Sequence, residues 1–116
     1  MTPLLIQTKK MEPDITVLEF AGKIRMGPDC QRVEEIVLDL LSQSNKKFIF
    51  DLSAVEYVDS SGMGSIAYCF AKVTRAEGGL RVAGLDERLK PLFRMTRMDT
   101  VIAFYPTVLA AAQSPW

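Results

Sequence analysis

The sequence contains no histidine. Ser-His-Asp and Cys-His catalysis lose their imidazole base. Histidine-ligated metal sites and phosphohistidine carriers are excluded with them. Cysteine is nearly absent too. Cys30 and Cys69 stand alone, without the C-x-x-C spacing of a redox motif or the grouping of a zinc cluster. Each falls on the apolar face of an expected helix, so both read as buried, reduced thiols. Net charge is missing as well: 14 Lys and Arg residues balance 14 Asp and Glu. Nothing electrostatic therefore calls for nucleic acid or an anionic membrane as a partner. No apolar run approaches the ~18 residues of a membrane-crossing helix. The opening "MTPLLIQTKKMEP" has too short an apolar stretch for a signal peptide. The expectation is a soluble, cytoplasmic chain without metal or cofactor.

What is present is enough for a core. The chain has 116 residues and is 48% hydrophobic, which fits one ordered domain spanning 1–116. Residues 4–8 read as an edge strand, and Ile15, Val17, Leu18 and Phe20 as a second, joined by a turn at Pro13 and Asp14. Cys30, Val33, Ile36, Val37, Leu40 and Leu41 recur at helical spacing behind Pro28 and Asp29, with Glu34 and Glu35 expected outside. "KFIFDL" is a continuous apolar run, the pattern of a strand buried on both faces. Met63, Ile66, Ala67, Phe70 and Val73 mark a second helical face, stopped by Gly78-Gly79. Leu80, Val82 and Ala83 form a short strand. A helix follows whose regular part starts or kinks near Pro91, with Asp86 as a candidate cap. A last strand over 101–105 and a helix after Thr107 leave a loose tail at 113–116. The order β-β-α-β-α-β-α-β-α predicts a single α/β domain, a mixed sheet of four to five strands flanked by about four helices.

Chemistry concentrates at "VDSSGMGSIA", residues 58–67, between a strand and a helix. Gly62-Met63-Gly64 with Ala67 matches G-x-G-x-x-A. A dinucleotide site also needs an acid at the end of the next strand, and Val82-Ala83-Gly84 stands there. Asp51 ends a strand as the acceptor of an aspartyl-phosphate receiver would. The acids that would bind its magnesium are missing, replaced by Thr8-Lys9-Lys10 and Gly22-Lys23. Asp51 reads instead as a turn residue bonding backbone amides. Two readings remain on physical grounds. In one, Asp59 or Ser60 caps the helix and the glycines pack against the sheet. In the other, a serine at the helix N-terminus is a regulated phosphate acceptor, and the glycines let a partner approach.

The stretch "FIFDLSAVEYVDSSGMGSIAYCFAKVTRAEGGLRVAGL" resembles the core of the STAS domain, the family of bacterial anti-sigma factor antagonists. Asp51-Leu52-Ser53, Val55, Val58 and Asp59-Ser60-Ser61-Gly62-Met63-Gly64 match its motif in order and spacing. "LEFAGKI" and "LKPLFRMTRMDTVIAFYPTVLAAA" resemble its second strand and its closing elements. The resemblance implies a partner-switching regulator and not an enzyme. It implies that Ser61 is the phosphate acceptor, with Ser60 as the competitor. The implied partners are an anti-sigma factor that is also a serine kinase of the histidine-kinase ATPase fold, and a phosphatase. Asp59, Ser60, Gly62, Met63 and Gly64 would form the motif surface, with Lys23, Arg25 and Met26 beside it. The chain would be a monomer or a weak dimer. Two departures stand out. Lys23-Ile24-Arg25 occupies a place where many members carry an acid, and Arg97 one where many carry glycine. A regulatory STAS subunit of a membrane transporter ATPase is the alternative function. A small nucleotide-binding enzyme built on Gly62-Met63-Gly64 is the remote one.

Overall fold

Apolar patterns of period two and period 3.6 alternate along the chain, and each becomes the element its period calls for. In a computed structural model describing residues 3–116, strands β1 (Leu5–Met11) and β2 (Ile15–Ile24) form the opening hairpin. Helix α1 (Pro28–Ser42) leads into β3 (Lys47–Val58). Helix α2 (Ser60–Arg75), β4 (Gly79–Ala83), α3 (Lys90–Met95), β5 (Ala103–Tyr105) and α4 (Val108–Gln113) follow. The sheet order is β1-β2-β3-β4-β5. Strand β1 pairs antiparallel and the other neighbours pair parallel. This is the expected mixed α/β domain, with five strands and four α-helices among the described residues.

Strand β3 shows why the sheet is central. Phe48, Phe50 and Leu52 point to one face and Ile49 to the other, and all are fully buried. The first face carries the main core. There Leu18, Phe20, Leu80 and Val82 of the sheet meet Val33 and Val37 of α1, Met63, Ile66 and Val73 of α2, and Phe93 of α3. The second face has a smaller cluster of Ile15, Val17, Ile49 and Ala83 under Ala111 of α4. Both thiols are buried in the main core.

The two central strands outrun their neighbours. Strand β4 pairs with β3 only as far as Asp51↔Ala83, whereas β2 and β3 stay paired to Ile24↔Val58 through two register shifts. Between those shifts Gly22 takes φ 111°, a conformation that suits glycine. The sheet therefore ends in a two-stranded projection that carries the β2–α1 loop beside the β3–α2 junction.

Several local expectations need correction. Glu34 does not point outward with Glu35. It turns into the α1–α2 interface, where its Oε2 accepts a 2.6 Å hydrogen bond from Ser65 Oγ. Residues 98–100 form a 3-10 turn and Ile102 is buried under the helices, so the last strand shortens to Ala103–Tyr105. Helix α2 ends at Arg75, and the left-handed residue that reverses the chain is Glu77, at φ 64°. Gly78 serves packing: a Cβ there would lie 2.3 Å from the Lys46 carbonyl oxygen. Arg97 sits at φ 59°, the left-handed region that favours glycine, in keeping with the glycine that the family resemblance calls for at that place. Helix α3 starts regularly at Lys90-Pro91, preceded by the 3-10 turn Glu87–Leu89 that Asp86 caps.

The tail at 113–116, expected to be loose, is anchored. Arg81 of β4 is buried on the second face, and a guanidinium there needs acceptors. It donates to the carbonyls of Ala111 at 2.5 Å and Ser114 at 2.9 Å, and also to Pro115. Its guanidinium carbon lies 3.8 Å from the centre of the Trp116 ring, and that ring covers Gly79. The sequence hid this because the apolar neighbours of Arg81 do not show which main-chain carbonyls come within its reach. Arg81→Met keeps the bulk but removes the donors, and it is expected to cost about 1–3 kcal/mol. That should lower Tm by roughly 5 °C or more. Trp116 is the only tryptophan, so acrylamide quenching of its fluorescence reads the tail directly and should rise. Unchanged quenching with unchanged Tm would show that Arg81 does not hold the tail.

Candidate functional site

The tip of the projection is assembled by the main chain. The Asp59 N–H donates to the Ile24 carbonyl at 3.1 Å, continuing the β2–β3 pairing by one more bond. Asp59 is extended, at φ −89° and ψ −178°, and its side chain caps α2. Oδ1 accepts from the Gly62 N–H at 2.7 Å, and Oδ2 accepts from the Met26 N–H at 2.9 Å. One carboxylate thus satisfies an orphan donor of the helix and ties down the neighbouring loop. Burial pushes the Asp59 carboxyl up. Amide donation from Met26, Gly62 and Ser61, helped by the Arg25 charge, outweighs it and holds Asp59 below the usual carboxylate range. Of the two capping candidates read from the sequence, Asp59 is the one the helix uses.

The two serines that follow differ in setting. Ser60 is exposed and Ser61 is half-buried, both in the first turn of α2. The two glycines differ more. Gly62 is buried, and a Cβ on it would lie 2.6 Å from the Ile24 carbonyl oxygen and 2.9 Å from the Ile24 and Val58 side chains. It lets α2 sit against the strand tips. Gly64 is exposed, and a Cβ on it would meet nothing within 4 Å. The fold supplies no reason for a glycine there. Met63 is buried in the core, whereas Met26 is 76% exposed at the loop tip. Lys23 is exposed and Arg25 half-buried on the same loop.

Beneath the tip, the Cys30 thiol donates to the Arg25 carbonyl at 3.1 Å, and Ser65 joins α2 to Glu34 of α1. Neither residue pair announces itself in the sequence, because each joins positions about 30 apart or lies at a loop-to-helix turn. Burial pushes the Cys30 thiol up. The Ser65 hydrogen bond opposes this, while the charges of Asp59, Glu34 and Asp29 add to it. Burial, with the Glu34 charge, pushes Cys69 up to about 12. Both sulfurs therefore stay protonated and unreactive near neutral pH. Asp51 is not the turn residue expected: β3 runs on to Val58, and within it Asp51 Oδ1 accepts from the N–H of Ser53 at 3.0 Å and from its hydroxyl at 2.7 Å. Grooves of about 750 and 550 Å3 lie elsewhere, one between the hairpin turn and Trp116, the other along β1 to β3. At the junction itself Gly62 is filled by Ile24 and is not open to a pyrophosphate.

Residues 7–111 match the family profile of the STAS domain. The chain belongs to the STAS domain family. A curated relative, the anti-sigma-B factor antagonist of Bacillus subtilis (strain 168), is 31% identical over 97 residues, 84% of this STAS chain and 86% of that protein. Solved structures share the STAS fold. An anti-sigma factor antagonist from Mycobacterium paratuberculosis superposes with a TM-score of 0.83 at 23% identity, covering 95% of this chain and 92% of that one. The Bacillus cell fate determinant SpoIIAA in its phosphorylated form gives 0.75 at 13%, covering 93% and 96%. A sulfate transporter family protein from Wolinella succinogenes gives 0.77 at 17%, covering 89% and 85%.

The unequal roles of the STAS motif residues lead to a stability series. Gly62→Ala forces a Cβ against a backbone carbonyl and should cost about 1–3 kcal/mol. Gly64→Ala removes a helical glycine from open space and should leave the fold unchanged or stabilise it by up to ~1 kcal/mol. Asp59→Ala loses the cap and should cost about 0.5–2 kcal/mol at pH 7. Because the folded-state pKa of Asp59 is depressed, its contribution is present above the unfolded-state pKa. It is lost as pH falls through the folded one. The gap between wild type and Asp59→Ala should narrow accordingly. Urea midpoints at pH 7 and in acid read all three, and equal midpoints for the two glycine variants would contradict the packing described.

Proposed function

We propose that this STAS domain is an anti-sigma factor antagonist that works by partner switching. Unphosphorylated, it binds an anti-sigma factor that is also a serine kinase. That kinase transfers a phosphoryl group from its own ATP to Ser61, the complex separates, and a phosphatase restores the free hydroxyl. In this reading the chain is a substrate and a binding module, not an enzyme. The observation that carries it is the pairing of an outward helix start, capped by Asp59, with a glycine at position 64 that the fold does not require. A helical glycine in open space lowers stability by roughly 1 kcal/mol. Close approach of a second protein accounts for it. Exposed Met26 and Ser60 border the same surface, and methionine adapts well to a partner. The family resemblance selects Ser61 over Ser60, and the relative in Bacillus subtilis carries the same role in its name.

A second reading, a regulatory STAS domain serving a membrane transporter ATPase, has the shared fold of the sulfate transporter family protein in its favour. A pull-down from the native host separates the two. A small kinase of the histidine-kinase ATPase fold supports the first, a transporter ATPase the second.

Phosphorylation would add roughly −1.5 to −2 charges inside the contact surface. The α2 dipole offsets part of this within the domain, but the partner has no matching compensation. A misplaced charge at an interface costs several kcal/mol, which corresponds to a loss of affinity on the order of a hundredfold or more. Ser61→Asp should therefore bind the recovered kinase far more weakly than wild type while melting within a few degrees of it. Ser61→Ala should bind and stay bound in the presence of ATP. Titration calorimetry tests both. Equal affinities for the two folded variants would reduce this junction to a helix cap.

A further inference from the structure

Two cations stand at the tip of β2 without acidic partners. Neither Lys23 nor Arg25 enters an ion pair within 4 Å among the described residues, where other cations pair with Glu19, Asp29, Asp14, Asp86 and Glu87. Their placement is set by the backbone. Lys23 is in register with Tyr57 and Ile24 with Val58. The Asp59 N–H is bonded to Ile24 and the Met26 N–H to Asp59. Arg25 is therefore held between two bonds that fasten its loop to the residue two before Ser61, and its charge acts on Asp59. Asp59 spends both carboxylate oxygens on backbone amides and forms no ion pair with Arg25.

Acidic charge gathers below the tip, with Arg32 paired to one of its members, Asp29. Asp59, Glu34 and Asp29 all act on Cys30, which lies directly beneath. Asp59 lies two residues before Ser61, Glu34 is bonded to Ser65 and Asp29 is paired with Arg32, so a phosphate dianion on Ser61 would meet acidic charge and gain from a cation of its own. The planar guanidinium fork matches phosphate oxygens and binds them in pairs. We propose that Arg25, with Lys23 behind it, is the intramolecular counter-charge of phosphate on Ser61, an inference that rests on Ser61 being the acceptor. The pair would hold the modified serine against the β2–α1 loop, stabilise the phosphorylated form and shield it from the phosphatase. In the unmodified protein Arg25 acts only through its charge on Asp59, and Lys23 enters no ion pair among the described residues.

The test needs no kinase. Phosphoserine is installed at position 61 by genetic encoding, and its second ionisation is followed by phosphorus NMR. In a phosphoserine without neighbours that pKa is about 6. In the folded protein it should lie lower than in the same protein unfolded in urea. Arg25→Gln should raise it by roughly half a unit to one unit. Lys23→Gln should raise it by less, and Arg25→Lys should retain most of the shift. Lys90→Gln, a cation paired with Glu87 on α3, should change nothing. At about 1 M salt, where screening acts over ~3 Å, the folded-state shift should shrink, which gives the same answer without any substitution at the tip. Titration of Arg25→Gln and Lys23→Gln together with wild type, and no salt dependence, overturns the proposal. Failure of a recovered kinase to modify Ser61 would instead overturn the acceptor reading and leave these titrations as they are.

Discussion

The Asp59 carboxylate is the joint on which the functional end of the molecule depends. Its two oxygens receive one amide from helix α2 and one from the β2–α1 loop. A side chain with a single acceptor would have to choose. A neutral residue would not benefit from the positive end of the helix dipole. Because β2 and β3 stay paired beyond the rest of the sheet, the joint is raised on a narrow projection. The depressed pKa of Asp59 follows from this geometry and keeps the joint charged across the whole neutral range.

Much of this was legible before any coordinates. Element order, the doubly buried strand around Phe50 and the helix start at "DSSG" follow from apolar period, turn chemistry and cap residues, which are local properties. What was hidden depends on contacts between distant positions. Glu34 looks like a surface residue until Ser65 of the neighbouring helix is placed opposite it. Gly62 and Gly64 look equivalent in the motif, and only the position of Ile24 separates a glycine the packing demands from one it does not. Glu77 does a job the sequence assigned to the glycines after it, because a left-handed turn tolerates an occasional ordinary residue. The tail read as loose because nothing local marks Arg81 as its anchor. Of the site, the Asp59 cap was readable from the residues, whereas the choice of Ser61 rests on the family resemblance. The loop that faces them was readable only as a departure from the family pattern.

The two glycines of one helix differ in what the fold asks of them. Gly62 serves the fold by letting α2 settle on the Ile24 carbonyl. Gly64 serves nothing inside the molecule, and its presence weakens the helix slightly. The buried thiols below, both held protonated, add a chemically inert floor.

The anchoring of Trp116 has a geometric consequence. Its ring lies against Gly79 and near Lys47, where β4 and β3 begin, while Ser61 follows the residue at which β3 has ended. A strand of this length spans roughly 35–40 Å, so the anchored tail and Ser61 occupy opposite poles of the molecule. Copies fastened to a surface, scaffold or fusion partner through the tail would all stand the same way up. Each would hold the start of α2 outward at a fixed height.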